Sequence, residues 1–261
     1  MKVELDPRKS IHENAAAYYD KSKKMRAKID SLKKAIEFTK RLVKAEEKKT
    51  AEMPEKKIVR EKDWFEKFHY FVTQNSFMVL GGKDAKSNEI IVKKHLEASD
   101  LYFHADIAGA PSVVLKNGQN APKEDLEEAA RFAASFSSAW KSELGAIDVF
   151  CVKPEQVRTA AKSGEYLAKG SFVITGEKTY FKKVPLGLAI THIAGKLLIA
   201  PVETIRKRSS QYIVLKPARE SKGESAKKVL HLLKAMFPGT QIDLDWVQQL
   251  LPNGGSKPIK S

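Results

Sequence analysis

The chain has 261 residues, a formal net charge of +15, 42% hydrophobic residues and one cysteine. That length sustains one large domain or a medium domain with appendages, and the lone Cys151, set in the apolar run IDVFCVK, excludes an intramolecular disulfide and fits a reducing compartment. MKVELDPRKS has no apolar leader, and the longest apolar stretch, Val184 to Val202, is broken by His192, Gly195 and Lys196, so neither a secretory signal nor a membrane span is expected.

Charge is unevenly spread: net +8 over residues 1–62, +1 over 63–202 and +6 over 203–261. A near-neutral centre between basic ends predicts a compact core with two electrostatic arms. The partner of such arms is nucleic acid first and acidic membrane surface second.

Ser10 to Glu13 reads S-x-x-E, a capping box that starts a helix. From Ile11 the seam Ile11, Ala15, Tyr18, Ser22, Met25, Ile29, Leu32, Ile36, Thr39, Val43 alternates steps of four and three, the spacing of a coiled coil over residues 1–56. Apolar area left in water is unfavourable by about 25 cal/mol per Å², so this helix needs a partner. A second copy of the chain or an upstream segment would supply it. Pro54 should end the helix.

From Trp64 the period changes. WFEKFHYFVT and SFMVLGG read as a hairpin, Asn88 to Leu96 as a short amphipathic helix or turn, and LYFHAD and SVVLKN as strands around the IAGAP turn. Pro122 opens a helix expected to run through LEEAARFAASFSSAW. IDVFCVK, SFVITG, LGLAI and KLLIA read as strands, with connections at Gly164, Gly170 and Gly176 and a turn at Ala194 to Lys196. The tail offers a helix in ETIRKRSS, a strand in QYIVLKPA, a capping box SKGE before AKKVLHLLKAMF, and a last helix in DLDWVQQLLP. The expected fold is α+β: a largely antiparallel core over residues 60–200, preceded by the helical arm and followed by a small α/β addition over 201–261.

No phosphate-loop, CxxC or HExxH signature occurs, so neither a cofactor nor a dedicated metal site is expected. The polar residues of Trp64 to Asn117 admit three readings. Asp84, Glu89, His104 and Asp106 could form a metal-dependent nuclease or other hydrolase, because His104 and Asp106 share one face of a strand. The same groups could be structural, with Asp106 holding the turn that follows it. In the third reading Lys83, Lys86, Lys93, Lys94 and Lys116 contact phosphates, Asn88, His104 and Asn117 read sugar or base edges, and Phe77 or Tyr102 supplies a stacking face.

Four blocks in order carry a resemblance: WFEKFHYFVTQNSFMVLGGKDAKSNEIIVKKHL, DLYFHADIAGAPSVVLKN, the helix ending SSAW, and SGEYLAKGSFVITGEKTYF. They are similar to the RNA-binding domain of the NFACT family over about residues 60–195, and LDPRKSIHENAAAYYDKSKK resembles the coiled-coil arm before that domain. The resemblance implies a non-enzymatic, cytoplasmic ribosome-associated quality control factor that engages the large ribosomal subunit, its ribosomal RNA and tRNA on stalled nascent chains. It also implies that the family's N-terminal domain and helix–hairpin–helix module are not in this sequence. The expected RNA contacts are Lys83, Asp84, Asn88, Glu89, Lys93, Lys94, His104, Asp106, Lys116 and Asn117, with Gly109 a further match to the motif.

Overall fold

The computed structural model describes residues 5–50, 63–158 and 170–260, and the chain divides into two compact units, Met1–Glu61 and Lys62–Ser261. In the first, helix α1 spans Ile11–Thr50. The Glu13 N–H donates to Ser10 Oγ at 3.2 Å and the Ser10 N–H donates to the Glu13 carboxylate at 2.7 Å, so two first-turn donors are satisfied as the capping box predicts. Asn14 ties the preceding segment to this turn, accepting from the Asp6 N–H and donating to the Asp6 and Lys9 carbonyls. The seam is open to solvent: Ile11 is 83% exposed, and Met25, Ile29, Leu32 and Ile36 are more than half exposed. The side chain of Val43, and all of Pro54 and Gly164, lie outside the described residues.

The second unit opens with a 3₁₀ turn, Trp64–Lys67, followed by β1 (His69–Val72), β2 (Met78–Gly81), α2 (Ala85–His95), β3 (Leu101–Ala105) and β4 (Val113–Leu115). Then come α3 (Lys123–Ser135), α4 (Ser138–Lys141), β5 (Ala146–Val152), the short pair β6 (Val157–Arg158) and β7 (Val173–Ile174), β8 (Thr179–Pro185), β9 (Leu188–Ile193) and β10 (Lys196–Pro201). The chain finishes with α5 (Val202–Arg206), β11 (Ile213–Ala218), α6 (Lys222–Met236), α7 (Leu244–Leu250) and β12 (Gly255–Lys260). One antiparallel sheet has the order β1-β2-β4-β3-β5-β8 and another the order β10-β9-β11-β12. The architecture is therefore α+β.

Side-chain alternation sorts the larger sheet into two faces. Phe71, Val79, Phe103, Val113, Leu115, Val149 and Cys151 join Phe132 of α3 in a core that continues through the smaller sheet and α6. Leu80, Tyr102, Val114, Phe150 and Val152 form a second core with Ile91 and Val92 of α2. The sheet is thus covered by α3 on one face and α2 on the other.

Several elements differ from the sequence reading. Trp64–Lys67 is a helical turn, not strand, because the consecutive rings of Trp64 and Phe65 pack on His95 at 4.6 Å and Tyr70 at 4.7 Å, contacts that a strand would send to opposite faces. Helix α2 begins three residues before Asn88, at Ala85. The helix expected through to Trp140 breaks after Ser135, where the Ser137 hydroxyl donates to the Ala134 carbonyl and accepts from the Ala139 N–H, so it caps a new helix rather than continuing the old one. Strands β8 and β12 have no counterpart in the sequence pattern. Both lie at sheet edges, where the lysines of TYFKKVP and the proline of GSKPIK are tolerated and the apolar signal is weak. In SFVITG only Val173–Ile174 is strand.

The boundary expected at residue 200 falls inside the smaller sheet, since β9 pairs with both β10 and β11. Trp140, fully buried, fastens the tail further: its indole N–H donates to the Gly255 carbonyl at 2.9 Å and to Ser256 Oγ at 3.2 Å, and the Ser256 N–H donates to Ser225 Oγ on α6. Position 255 has to be glycine, because a Cβ there would lie 2.1 Å from the Glu220 carbonyl oxygen. Trp140→Phe keeps most of the packing but leaves these buried acceptors without their donor, so the stability measured by denaturant unfolding should fall by about 1–3 kcal/mol. An unchanged midpoint would show that the latch contributes nothing.

Candidate functional site

The larger sheet ends beside a cavity of about 700 Å³. Its walls come from β1 (His69), the turn after β2 (Gly82 to Asp84), the first turn of α2 (Ala85, Asn88), β3 (Tyr102, His104), the 108–111 turn, Phe150 of β5, and the stretch of Gly170 to Lys178. Asp84 caps α2: its carboxylate accepts from the Ser87 N–H at 2.7 Å, and the Ser87 hydroxyl accepts from the Asp84 N–H at 2.8 Å. One turn on, Asn88 Oδ1 accepts from the Ser112 N–H at 3.0 Å, while the Gly82 N–H donates to the Ser112 carbonyl at 3.0 Å. A Cβ at Gly82 would sit 1.8 Å from Asn88 Oδ1, so glycine is what lets the amide reach across.

The aromatic wall is closely layered. Tyr102 and His104 stack at 6.3 Å with 9° between their planes, His104 meets Phe150 at 5.8 Å, and Lys178 Nζ lies 4.2 Å from the centre of the Phe150 ring. Tyr102 is 2% exposed and its hydroxyl bonds to Ser112 Oγ at 3.1 Å. It braces the wall and presents no stacking face. Phe77 likewise packs against the core. Burial pushes the His104 imidazole below its usual pKa, partly offset by backbone hydrogen bonds with Ala105 and Ala110 and by the Asp106 charge, and it pushes the Tyr102 phenol up to about 12.

Of the ten residues singled out from the sequence, Lys83, Asp84, Asn88 and His104 line this cavity. Glu89 pairs with Lys93 at 2.6 Å along α2, and Lys94 is exposed in the last turn of the same helix. Asp106 is exposed, and its N–H donates to the Asp148 carbonyl. Lys116 and Asn117 belong to a separate knot: Lys116 Nζ donates to the buried Asp100 carboxylate at 2.5 Å and to the His95 carbonyl, and the Asn117 N–H donates to Asp100 Oδ1. Asn117 itself takes a left-handed conformation, φ 54°, before a 3₁₀ turn. The hydrolase reading is not supported by this placement. No three His, Cys, Asp or Glu side chains gather as a metal site among the described residues, and the Asp84 and Glu89 carboxylates are engaged by Ser87 and Lys93.

Sequence reasoning missed His69 and Lys178. A histidine at an inward position of the apolar run FHYFV was the available signal for the first. Lys178 follows the Gly176 turn and has no local signature. His69 is 6% exposed, lies against Phe136 at 4.1 Å, and is held neutral: burial, then the nearby Lys83 and Lys222 charges, push its pKa well below the usual 6.5. The unfolded chain therefore takes up this proton first, and stability falls as pH drops through about 6.5 toward the folded value. His69→Gln removes that titration. The stability difference between the native chain and the variant should shrink between pH 8 and pH 5 in denaturant unfolding; a constant difference would contradict the assignment.

Residues 67–176 match the model of the NFACT protein RNA binding domain, a span that includes nearly the whole cavity wall. The archaeal Rqc2 homolog aRqcH of Methanocaldococcus jannaschii is 44% identical over 210 residues, covering 78% of this chain and 31% of that protein. The ribosome quality control complex subunit NEMF of Homo sapiens is 36% identical over 173 residues (64% and 16%), and the NEMF homolog of Drosophila melanogaster 35% over 198 (72% and 20%). The chain spans less than a third of the length of these relatives. The matching domain and the relatives together place the chain in the NFACT family, as a member that carries the family's RNA-binding domain.

Proposed function

We propose that this chain is the RNA-contacting portion of a ribosome quality control factor, acting without catalysis in the cytoplasm on ribosomal RNA and tRNA at the large subunit of stalled ribosomes. The observation that carries the reading is the cavity. Residues 63–202 are nearly neutral overall, yet Lys83, Lys178 and two histidines converge on this concave face beside the Asn88 amide. Such a surface suits a phosphate-bearing chain, with lysines fixing position and Asn88 and His104 reading what lies between phosphates. Lys93, paired with Glu89, and Lys94 are exposed in the last turn of α2, beyond the cavity wall.

Helix α1 serves as a coiled-coil arm in this reading. A row of exposed Met, Ile and Leu at heptad spacing is matched by a partner helix, either an upstream segment or a second copy. Among the described residues no helix is long and apolar enough to cross a membrane.

Electrostatic contact makes RNA affinity fall linearly with salt on logarithmic axes, with a slope of about 0.7 per neutralised phosphate for a single strand. The double variant Lys83→Ala/Lys178→Ala should weaken binding of single-stranded RNA and flatten that slope by about 1–2, measured by fluorescence anisotropy across a salt series. A native slope retained by the variant would move the RNA interface elsewhere.

A further inference from the structure

We propose that the inner end of the cavity is a phosphate-binding subsite, built by His69 and Lys83 with Lys222 at the start of α6 beside them. The inference rests on the RNA-contact reading and assigns one chemical group of the RNA to one place. Among the described residues His69 Nδ1, although buried, has no hydrogen-bond partner; the residue is 6% exposed and lines the cavity. Leaving a buried polar nitrogen unmade costs about 1–3 kcal/mol, and buried polar groups are nearly always satisfied. A ligand atom entering the cavity is the natural partner.

The surroundings specify the sign of that ligand's charge. Lys83 and Lys222 act on His69 as cations, and Lys83 acts on Lys222 in the same sense. Lys222 is also the first residue of the 15-residue α6, whose N-terminal dipole adds positive potential. Asp84 caps α2 through Ser87, and Glu66 pairs with Lys196 while its backbone carbonyl accepts from Lys83 Nζ at 3.2 Å; Glu220, two residues before Lys222, pairs through Oε1 with Lys228. An anion placed here meets an unmade imidazole bond and the Lys83 ammonium at the cavity wall, within the positive field of Lys222. A tetrahedral phosphate, which offers oxygens in several directions, fits that spread better than a planar carboxylate. The remaining volume, toward Asn88 and His104, holds the attached sugar and base.

The test follows the His69 imidazole signals by NMR in the whole chain while inorganic phosphate, adenosine 5′-monophosphate, acetate and a short single-stranded RNA are titrated in separately. Phosphate and the nucleotide should shift His69 at millimolar concentration, acetate should not, and Lys222→Ala should weaken phosphate binding about tenfold. Competition by RNA for bound phosphate assigns the subsite to the nucleic-acid backbone. Phosphate that RNA fails to displace supports the subsite but assigns it to a free phosphate or nucleotide. A chain that binds RNA while His69 stays unmoved by phosphate and RNA alike overturns the subsite and leaves the RNA reading standing. A phosphate-responsive His69 in a chain that binds no RNA at low salt overturns the RNA reading instead.

Discussion

The bond from the Ser112 N–H to Asn88 Oδ1 fixes the geometry on which the site depends. It joins the first turns of α2 to the strand-entry residue before β4, and it is possible only because Gly82 lacks a side chain. An isolated helix of 11 residues is marginal in water. Here α2 is held by the Asp84–Ser87 capping box at its start, by Asn88 one turn later, and by Ile91 and Val92 buried against the sheet. With α2 so placed, Lys83 and Asp84 stand at the rim of a cavity whose far wall is the Tyr102–His104–Phe150 stack. Position 170 must approach the same helix closely: a Cβ there would lie 2.7 Å from Ala85 Cα, and Gly170 has φ +81°.

Much of this was readable in the sequence where local chemistry decides the outcome. The capping boxes at Ser10 and Ser221, the strands around IAGAP, the Ala194–Gly195 turn with φ of 49° and 78°, and α6 and α7 all form where their patterns place them. What escaped was set by tertiary context. Edge strand β8 is charged because its outer side faces water, and its Lys183 N–H and Lys182 ammonium are both received by Asp148 at a bulge that no short window of sequence reveals. The break before Trp140 depends on a serine hydroxyl choosing between continuing and capping a helix.

The candidate site was half legible for a related reason. Lys83, Asp84, Asn88 and His104 come from neighbouring elements and do converge, but Lys116 and Asn117 are drawn away by Asp100, a buried carboxylate with no local signature as their partner. His69 and Lys178 reach the cavity from strands and turns distant in sequence. Net charge over the central region, close to zero, concealed a local concentration of positive groups. Lys83, Lys178, His69 and His104 come together on this concave face although they lie far apart in the sequence.

Photo-crosslinking of the chain to purified large ribosomal subunits, with the attached peptides mapped by mass spectrometry, tests the central claim most directly. The account predicts crosslinks on the peptides containing residues 82–88, 104–112 and 170–178, the walls of the cavity. Crosslinks confined to the outer faces of α6 and α7, with none on those three peptides, would contradict it.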